Sequence, residues 1–245
     1  MLVIHDFIKK IINGVNKLVF PPACVLCGEL LEENDNYICK ACCQQVCHIK
    51  PPYCFRCGKE IKDDEKEFCE DCNSHTRSFK QGFPAVVYDE LFSRSIAGFK
   101  YNNKREYAKY FAYEIVKSRG SEILDVKPDV LVPVPIHKKK KKVRGYNQAT
   151  LLAHELSDII KIPVDEALLY RKVNTAPQKN LDNEARELNL KKAFISGDKI
   201  VKYNSVMLVD DIYTTGATIE ACTKALNEVG IEDVYYTSIC IGRGY

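Results

Sequence analysis

The sequence predicts an α/β protein in which a largely parallel sheet is flanked by helices and follows a small cysteine-rich unit. Three observations support this prediction: clustered cysteines, strand-length apolar segments that alternate with helical patterns, and one apolar strand that runs into an acidic, hydroxyl-rich loop. The 245 residues suffice for one buried core and a second, smaller unit. We expect an N-terminal helix over 1–20, a cysteine domain over 21–76 and the α/β domain over 77–245.

The first twenty residues have the spacing of an amphipathic helix. Ile4, Ile8 and Ile11 recur on one helical face, and Lys9 interrupts the apolar run that a signal peptide would need. Packing on the protein's own core is the favoured interpretation, and docking to a membrane surface or a partner is the alternative. No apolar run approaches the roughly 20 residues of a transmembrane helix, so no membrane span is expected.

The cysteine-rich segment is a repeat with an offset of thirty residues. Pro21-Pro22 corresponds to Pro51-Pro52, and each copy holds two Cys-x-x-Cys pairs that are eleven residues apart. Two such pairs supply the four thiolates of a tetrahedral zinc ion, which stabilises a segment too polar to fold alone. The predicted ligands are Cys24, Cys27, Cys39, Cys42, Cys54, Cys57, Cys69 and Cys72.

Several alternatives stay open for these cysteines. Each copy closes its own site, or the two copies share ligands. An iron–sulfur cluster is the main rival to zinc, and redox disulfides are a weaker one. Such pairs without a signal peptide indicate a reducing compartment, which predicts a cytoplasmic protein. The remaining cysteines are expected to be core or spare thiols: Cys43 and Cys47 beside His48, and Cys222 and Cys240 in apolar stretches.

Charge separates the cysteine-rich segment from the rest of the chain. Residues 24–73 hold eleven acidic and six basic residues, a net charge of −5, whereas the other residues hold 22 acidic and 30 basic ones, a net charge of +8. An acidic surface repels polyanions. We therefore expect a structural or protein-docking role for the cysteine domain and place any nucleic-acid contact on the basic remainder.

Strand and helix patterns alternate after residue 77. Strands that are buried on both faces and separated by helices form a largely parallel sheet, and ligands of such sheets bind beyond the carboxyl ends of the strands. The predicted strands cover 85–88, 130–134, 168–173, 205–209 and 234–240. The predicted helices cover 91–101, 107–116, 146–160 and 218–229, and a polar loop covers 174–190.

The most informative segment, VMLVDDIYTTGAT, covers 206–218. An apolar strand leads to two carboxylates, then to a loop of small and hydroxyl residues, and then to a helix start. Backbone amides at a helix N-terminus hold a phosphate with the help of the helix dipole. Two adjacent Asp residues suit the hydroxyls of a sugar, or a nearby Mg²⁺ ion. Because a phosphate beside a diol is a ribose 5-phosphate, the segment predicts a ribose-phosphate site.

This segment resembles the motif with which type I phosphoribosyltransferases bind phosphoribosyl diphosphate (PRPP). The resemblance implies a type I phosphoribosyltransferase-like domain in which Asp210 and Asp211 hold the ribose 2′ and 3′ hydroxyls. It also implies that the following residues cradle the 5-phosphate: Thr214, Thr215, Gly216, Ala217 and Thr218.

Further segments resemble the ComF (ComFC) competence proteins, and the resemblance covers nearly the whole chain. They are the cysteine repeat and the sequences FKY at 99–101, PVPIH at 133–137, RGYNQ at 144–148 and NTAPQ at 174–178. The resemblance implies a double zinc ribbon before the phosphoribosyltransferase-like domain. It also implies a role in natural transformation, with imported single-stranded DNA as substrate and a ComFA-type helicase as a possible partner.

The implied fold also assigns the remaining candidate residues. The loop after residue 134 faces the pyrophosphate, so Pro135, His137 and Arg144 are expected there, with the lysine run at 138–142 on or near it. The loop over 174–190 is expected to close over the site, with Gln178 and Arg186 as ligand contacts. A surface salt bridge is the alternative for Arg186. The catalytic candidates are Arg144, Gln178 and Arg186.

Three functions fit these residues. The first is the ComF-type role in transformation, based on a PRPP or ribose-phosphate pocket. The second is a phosphoribosyltransferase with an unidentified acceptor, in which Mg²⁺-bound pyrophosphate leaves the ribose. The third is a non-enzymatic PRPP sensor. Tyr101, Tyr146 and Tyr213 are candidates for base stacking, although core or hinge positions are the favoured interpretation.

Overall fold

A computed structural model describes residues 21–171, 194–196 and 203–242, of which 194–196 are described as backbone. The predicted helix over 1–20 and the two loop candidates Gln178 and Arg186 lie outside the described residues. The chain divides into two compact units, residues 1–46 and 47–245. This division falls between the two cysteine copies, so that the second copy belongs to the same unit as the sheet.

Both cysteine copies have the same local structure. In the first, Gly28 donates its N–H to the Cys24 carbonyl at 2.9 Å and has φ +84°, a conformation that favours glycine. In the second, Gly58 makes the same 2.9 Å bond to Cys54 with φ +68°. A short helix follows the third cysteine of each copy, α1 over Lys40–Gln45 and α2 over Glu70–Ser74.

Four parallel strands form the sheet of the larger unit. The strands of this unit are β1 (Gly82–Val87), β2 (Val130–Pro133), β3 (Leu169–Arg171), β4 (Phe194–Ser196), β5 (Ser205–Tyr213) and β6 (Asp233–Ile241). The sheet has the order β1-β6-β5-β2, and β3 pairs with β4 in a separate antiparallel ribbon. Because β2 and β5 are parallel neighbours, the chain after β2 emerges beside the end of β5.

Five further helices complete the described part of this unit. They are α3 (Glu90–Tyr101), α4 (Tyr107–Asp125), α5 (Lys138–Arg144), α6 (Gln148–Ile160) and α7 (Ala217–Asn227). Helix α4 packs on β1 and α6, and α6 packs on β2 and β5. The predicted largely parallel sheet with flanking helices is confirmed. No helix of the described residues is long and apolar enough to cross a membrane.

One hydrophobic cluster joins the sheet to the second cysteine copy. Alternate residues of the strands, such as Val132 and Leu208, share it with Leu226 of α7 and with Cys54 and Ile61. Burying side chains of this size contributes about 1.5–3 kcal/mol each. The second cysteine copy is therefore part of the core of this unit.

Two element boundaries differ from the sequence prediction by four residues or more. Strand β5 continues to Tyr213, so Asp210 and Asp211 lie within the strand instead of after it. Pairing with β6 extends as far as Tyr213↔Ile241 and accounts for the extra length. Helix α4 runs to Asp125, beyond the predicted end at residue 116.

The lysine run, expected as a solvated loop, forms the helix α5. Lysine has a good helix propensity. The His137 side chain caps the helix by accepting the N–H of Lys139 at 3.2 Å, and Gly145 ends it with φ +83°. The lysines at 138–142 are exposed along this helix, although neighbouring residues partly desolvate Lys140.

Candidate functional site

The four cysteines of the first copy converge on one point. Their Sγ atoms all lie within 4.8 Å of one another, and those of Cys27 and Cys39 are 3.8 Å apart. Zinc–sulfur bonds of about 2.3 Å place tetrahedral ligands roughly 3.8 Å apart, so this spacing fits zinc. Burial raises the pKa of the Cys24 thiol, but backbone N–H donors at Cys27, Cys39 and Leu26 more than offset this effect and lower it to about 7.

The second copy forms a second cluster of four cysteines. Its Sγ atoms also lie within 4.8 Å of one another, with 3.6 Å between those of Cys57 and Cys69. Hydrogen bonds from the other three thiols lower the pKa of Cys54, which is fully buried. Each copy therefore closes its own site. The short spacing also argues against an iron–sulfur cluster, whose irons bind different cysteines.

The other cysteines lie outside both clusters. Cys43 and Cys47 are exposed, so they are not core residues. Cys222 and Cys240 are buried, as predicted, and burial raises the pKa of both thiols well above the usual value. A buried thiol with a raised pKa is a poor nucleophile, so neither is a catalytic candidate.

Asp210 and Asp211 form an acidic pair near the end of β5. The N–H of Asp211 donates to Asp210 Oδ1 at 2.8 Å, and Lys100 Nζ lies 2.6 Å from Asp211 Oδ2. The exposed fractions of these two side chains are 20% for Lys100 and 6% for Asp211, so the ion pair is largely buried. Lys100 thus fixes one carboxylate at the point where the strand meets the loop.

Burial and neighbouring charges shift the pKa values of Asp210 and Lys100. Burial, followed by repulsion from Asp211, raises the pKa of Asp210 well above its usual value of 3.8. Burial alone would lower the pKa of Lys100, but attraction to Asp211 and then to Asp210 more than offsets it and raises the pKa. The raised pKa favours the protonated form of Asp210, and a hydrogen-bond donor or cation bound at this carboxyl would favour its ionised form.

The loop after β5 leads directly into α7. Gly216 precedes the helix with φ +77°, and a Cβ there would collide with the hydroxyl of Tyr213. Outside the helices and strands of the described residues, no backbone hydrogen bond uses the N–H of Thr214, Thr215 or Gly216 as its donor. Three successive amides at the start of an eleven-residue helix form an arrangement suited to an anion.

Basic side chains surround the acidic pair on the side of β2. Burial lowers the pKa of Lys140, and repulsion by Arg171, Arg144 and Lys100 lowers it further, while Asp211 partly offsets these effects. Burial also lowers the pKa of Arg171 despite its attraction to Asp210. Cations that repel one another in this way form a site for a multiply charged anion.

The structure thus brings together several of the predicted residues. The loop residues adjoin the acidic pair, and the segment after β2 is held beside β5 because Val134 donates its N–H to Val209 at 2.9 Å. Pro135 and His137 follow in this segment. Desolvation lowers the pKa of His137, and the positive charges of Arg171 and the neighbouring lysines lower it further. Arg144 Nη1 donates to Gln148 Oε1, and its guanidinium lies 5.2 Å from the ring centre of Tyr101.

The three tyrosines considered for base stacking differ in exposure. Tyr101 is 75% exposed, whereas Tyr146 and Tyr213 are only 6% and 2% exposed and are therefore core residues. Tyr146 donates to the Phe99 carbonyl. Only Tyr101, among these three residues, is accessible to a base.

Sequence reasoning missed three basic residues of the site. Lys100 was part of a family-like FKY sequence, but nothing in the chain linked it to Asp211, which lies 111 positions later. Arg171 ends a short strand, and Lys140 was one of five equivalent lysines. Only tertiary interactions, such as the Lys100–Asp211 ion pair, distinguish them.

Comparison with known proteins agrees with this arrangement. A double zinc ribbon domain model matches residues 15–73. Competence protein F of Haemophilus influenzae is 33% identical over 154 residues, which cover 60% of this chain and 66% of that protein. Competence protein ComFC of Bacillus subtilis is 28% identical, with coverages of 62% and 60%. The DNA utilization protein YhgH of Salmonella typhimurium is 31% identical, with coverages of 54% and 58%.

The chain belongs to the ComF family. The matched regions are shorter than two thirds of these relatives' own length. Among solved structures, a purine phosphoribosyltransferase from Pyrococcus horikoshii is 14% identical and aligns with a TM-score of 0.34, covering 55% of this chain and 88% of that one. A structural similarity this distant indicates nothing about the ligand of the ComF-family chain.

Proposed function

We propose that this ComF-family chain binds PRPP or a related ribose phosphate in its larger unit and acts in natural transformation, where it handles imported single-stranded DNA in the cytoplasm. One observation carries the proposal: an acidic pair, a loop of three available amides and a basic cluster meet at the end of β5 and β2. PRPP carries a phosphate on one side of its ribose and a diphosphate on the other. Its 5-phosphate, ribose hydroxyls and diphosphate would suit the loop amides, the acidic pair and the basic cluster, in that order.

The 5-phosphate would bind the loop after β5. The N–H groups of Thr214, Thr215 and Gly216 and the dipole of α7 provide donors and positive potential. The absence of a side chain at Gly216 lets the backbone follow Tyr213 closely. The ribose hydroxyls would then donate to the carboxylates of Asp210 and Asp211, which stand immediately before this loop.

The diphosphate would bind on the β2 side. Arg171 and Arg144 repel Lys140 there, and a bound anion would relieve that repulsion. Mg²⁺ would come with the diphosphate, since its hard oxygen ligands are phosphates and a few carboxylates. Among the described residues, groups of three or more metal-ligating side chains occur only in the two cysteine clusters, so the chain offers no complete Mg²⁺ cage.

Single-stranded DNA would contact the basic surface of α3 and α5. The exposed ring of Tyr101 lies beside the guanidinium of Arg144, and α5 carries five lysines without an acidic residue. An exposed aromatic ring flanked by cations can stack on a base while the cations contact the backbone. The names of the relatives, competence and DNA utilization proteins, support this assignment, and a ComFA-type helicase is the proposed partner.

Calorimetric titration with PRPP and Mg²⁺ tests the pocket. We expect saturable binding by the native protein and a loss of at least about 100-fold in affinity in the variant Asp210→Asn/Asp211→Asn, because hydrogen bonds to charged groups contribute roughly 1.5–3 kcal/mol each. Asp233→Asn is the matched control, since Asp233 is an exposed strand residue far along the sheet from the loop. No binding by the folded, zinc-loaded native protein would contradict the proposed ligand.

A second experiment addresses DNA. Fluorescence anisotropy with a labelled oligonucleotide should show affinity that falls steeply with salt and falls several-fold in Tyr101→Ala and Arg144→Ala. Tyr113→Ala, at another exposed tyrosine, is the control for Tyr101. Binding that is insensitive to both variants would place DNA elsewhere. Pyrophosphate release that depends on an added acceptor would favour the phosphoribosyltransferase, and PRPP binding without release would favour the sensor.

A further inference from the structure

The segment between Cys72 and β1 connects the second cysteine cluster to the phosphate loop. Arg77 is the central residue of this connection, and its side chain is only 3% exposed. Its Nη2 donates to Asp71 Oδ2 at 3.0 Å and to the carbonyl of Thr215 at 2.9 Å. Asp71 lies in α2 between the metal-ligating Cys69 and Cys72, and Thr215 lies in the loop proposed to bind the 5-phosphate.

The next residue attaches to the helix that follows the loop. Ser78 donates its backbone N–H and its hydroxyl to the two carboxylate oxygens of Glu220, both at 2.7 Å. Glu220 is in the first turn of α7, and its side chain is 8% exposed. A change in the position of this segment would therefore move both the loop and the start of α7.

An aromatic layer beneath the loop leads to the same cluster. The rings of Tyr213 and Tyr236 stack with centroids 4.7 Å apart, and Phe79 packs edge-on against both. The hydroxyl of Tyr236 donates to the carbonyl of Cys57 at 2.8 Å. Gly216 packs directly against the side chain of Tyr213. The aromatic residues beneath the loop therefore contact the turn that contains the metal-ligating Cys57.

The loop and the second cluster also border a common cleft of about 930 Å³. Thr214 and Thr215 line it together with Cys69 and Asp71. The loop and the second cysteine cluster are therefore neighbours across this cleft.

We propose that the second zinc site holds the phosphate loop in its binding conformation through Asp71, Arg77 and Thr215, with Arg77 as the positioning residue. This inference deepens the proposed function and rests on it for the identity of the ligand. Helix α2 has five residues, too few to be stable alone, so its position depends on Cys69 and Cys72 being fixed by metal. Without metal, Asp71 no longer fixes the buried guanidinium of Arg77, and the loop loses its support.

Two effects follow from this coupling. Zinc in the second cluster increases the affinity of the loop for phosphate, and by linkage a bound phosphate slows the loss of that zinc. The first cluster belongs to the unit 1–46, and none of the contacts given above involves its cysteines. Of two bound zinc ions, one should therefore respond to the ligand and the other should not.

The variants Arg77→Met and Arg119→Met provide a matched pair. Arg119 is also 3% exposed, and it also docks the second cysteine copy: it donates to the carbonyls of Pro84 and Gly58 at 3.0 and 3.4 Å and lies 3.9 Å from the ring centre of Tyr53. None of these contacts involves the phosphate loop. Both variants remove one buried arginine from the same interface, and only one of them removes contact with Thr215.

Hydrogen–deuterium exchange of peptides covering 213–217 measures the loop without a ligand, and PRPP calorimetry measures its function. We expect Arg77→Met to accelerate exchange and to weaken PRPP binding, each by about tenfold, and Arg77→Lys to restore part of both. Arg119→Met should lower the melting temperature but leave both loop readouts within about twofold of the native protein. In a chelator assay, PRPP should slow the release of one of two zinc ions from the native protein and of neither from Arg77→Met.

Loop exchange that is unchanged in Arg77→Met, or that changes equally in Arg119→Met, would overturn the inference. If Arg77→Met fails to fold, Asp71→Asn provides the same test with the arginine retained. If the native protein does not bind PRPP, the proposed ligand is wrong, and the exchange comparison still decides whether the second metal site supports the loop.

Discussion

The two cysteine copies have the same spacing and the same four-thiol geometry, but they are embedded differently. In the first copy Cys27 is exposed, and the one salt bridge described between its side chains, Lys40 to Glu32 at 2.9 Å, is itself exposed. In the second copy Cys54 and Cys57 are fully buried in the core of the larger unit. A repeat in sequence therefore does not imply a repeat in structural role: the second copy is part of the larger unit, whereas the first belongs to a separate unit.

Loss of a metal ligand should show the largest difference between the copies. We expect Cys69→Ser to lower the melting temperature of the larger unit by more than about 10 °C, because structural zinc contributes free energy of folding and this site lies in the core. The matched Cys39→Ser should remove one zinc ion and leave that transition in place. Calorimetry with zinc analysis measures both effects. Equal losses of stability would contradict the proposed difference in role.

Removal of polar contacts should show a smaller difference in the same direction. Arg119→Met removes a buried guanidinium that binds two carbonyls of the larger unit, and we expect a loss of about 3 kcal/mol in the free energy of unfolding. Lys40→Met removes an exposed pair in the first copy and should leave stability unchanged within error. Urea unfolding measures both variants. A stability loss on removing Lys40 as large as that on removing Arg119 would show that the first copy is also tightly integrated.

We expect the acidic pair of Asp210 and Asp211 to lower the free energy of unfolding of the larger unit only. Because burial and Asp211 raise the pKa of Asp210, the folded protein binds this proton more tightly than the unfolded chain does. The free energy of unfolding should therefore fall as the pH rises from 3.8, the usual pKa of an Asp side chain, to the raised pKa of Asp210. Above that raised pKa the full loss of stability should be present. Asp210→Asn should remove this cost and raise the melting temperature at pH 7 by a few degrees, roughly 1 kcal/mol, while weakening PRPP binding.

A melting temperature of Asp210→Asn below that of the native protein over the whole pH range would contradict this assignment. Asp233→Asn, at an exposed position of β6, serves as the control and should follow the native pH profile.

The smallest expected effect concerns anion binding by the lysine run. Desolvation, followed by repulsion from neighbouring cations, lowers the pKa of Lys140, so this lysine loses its charge at a lower pH than an ordinary one. Pyrophosphate affinity should decline by a few-fold as the pH rises into the alkaline range, and Lys140→Gln should flatten that decline. Lys142→Gln, on the same helix, should not. Equal flattening by both variants would mean that the run acts only through its total charge.

The sequence predicted the parallel sheet and the metal ligands well because both depend on local patterns. Apolar strand runs such as the one at 205–209 and the Cys-x-x-Cys spacing are visible without knowledge of tertiary contacts. The pairing of the cysteine turns was not predictable, since four turns can combine in more than one way. Each copy in fact closes its own cluster.

Residues that act through distant contacts were also not predictable. Lys100 forms an ion pair with Asp211 across 111 positions of the chain, and Arg77 reaches Thr215 across 138 positions. An isolated lysine or arginine gives no sign of such a partner in a single sequence. The helix over the lysine run was not predicted because a run of like charges is typical of a solvated loop. The cap at His137 and the stop at Gly145 favour the helix instead.

A crystal structure of the zinc-loaded protein with PRPP and Mg²⁺, including anomalous scattering at the zinc edge, would locate the metal ions and the ligand together. We expect one zinc ion in each cysteine cluster, the 5-phosphate on the amides of Thr214 to Gly216, the ribose hydroxyls on Asp210 and Asp211, and the diphosphate among Lys140, Arg144 and Arg171. A ligand bound away from this loop, or a zinc ion shared between the two copies, would contradict the proposed sites.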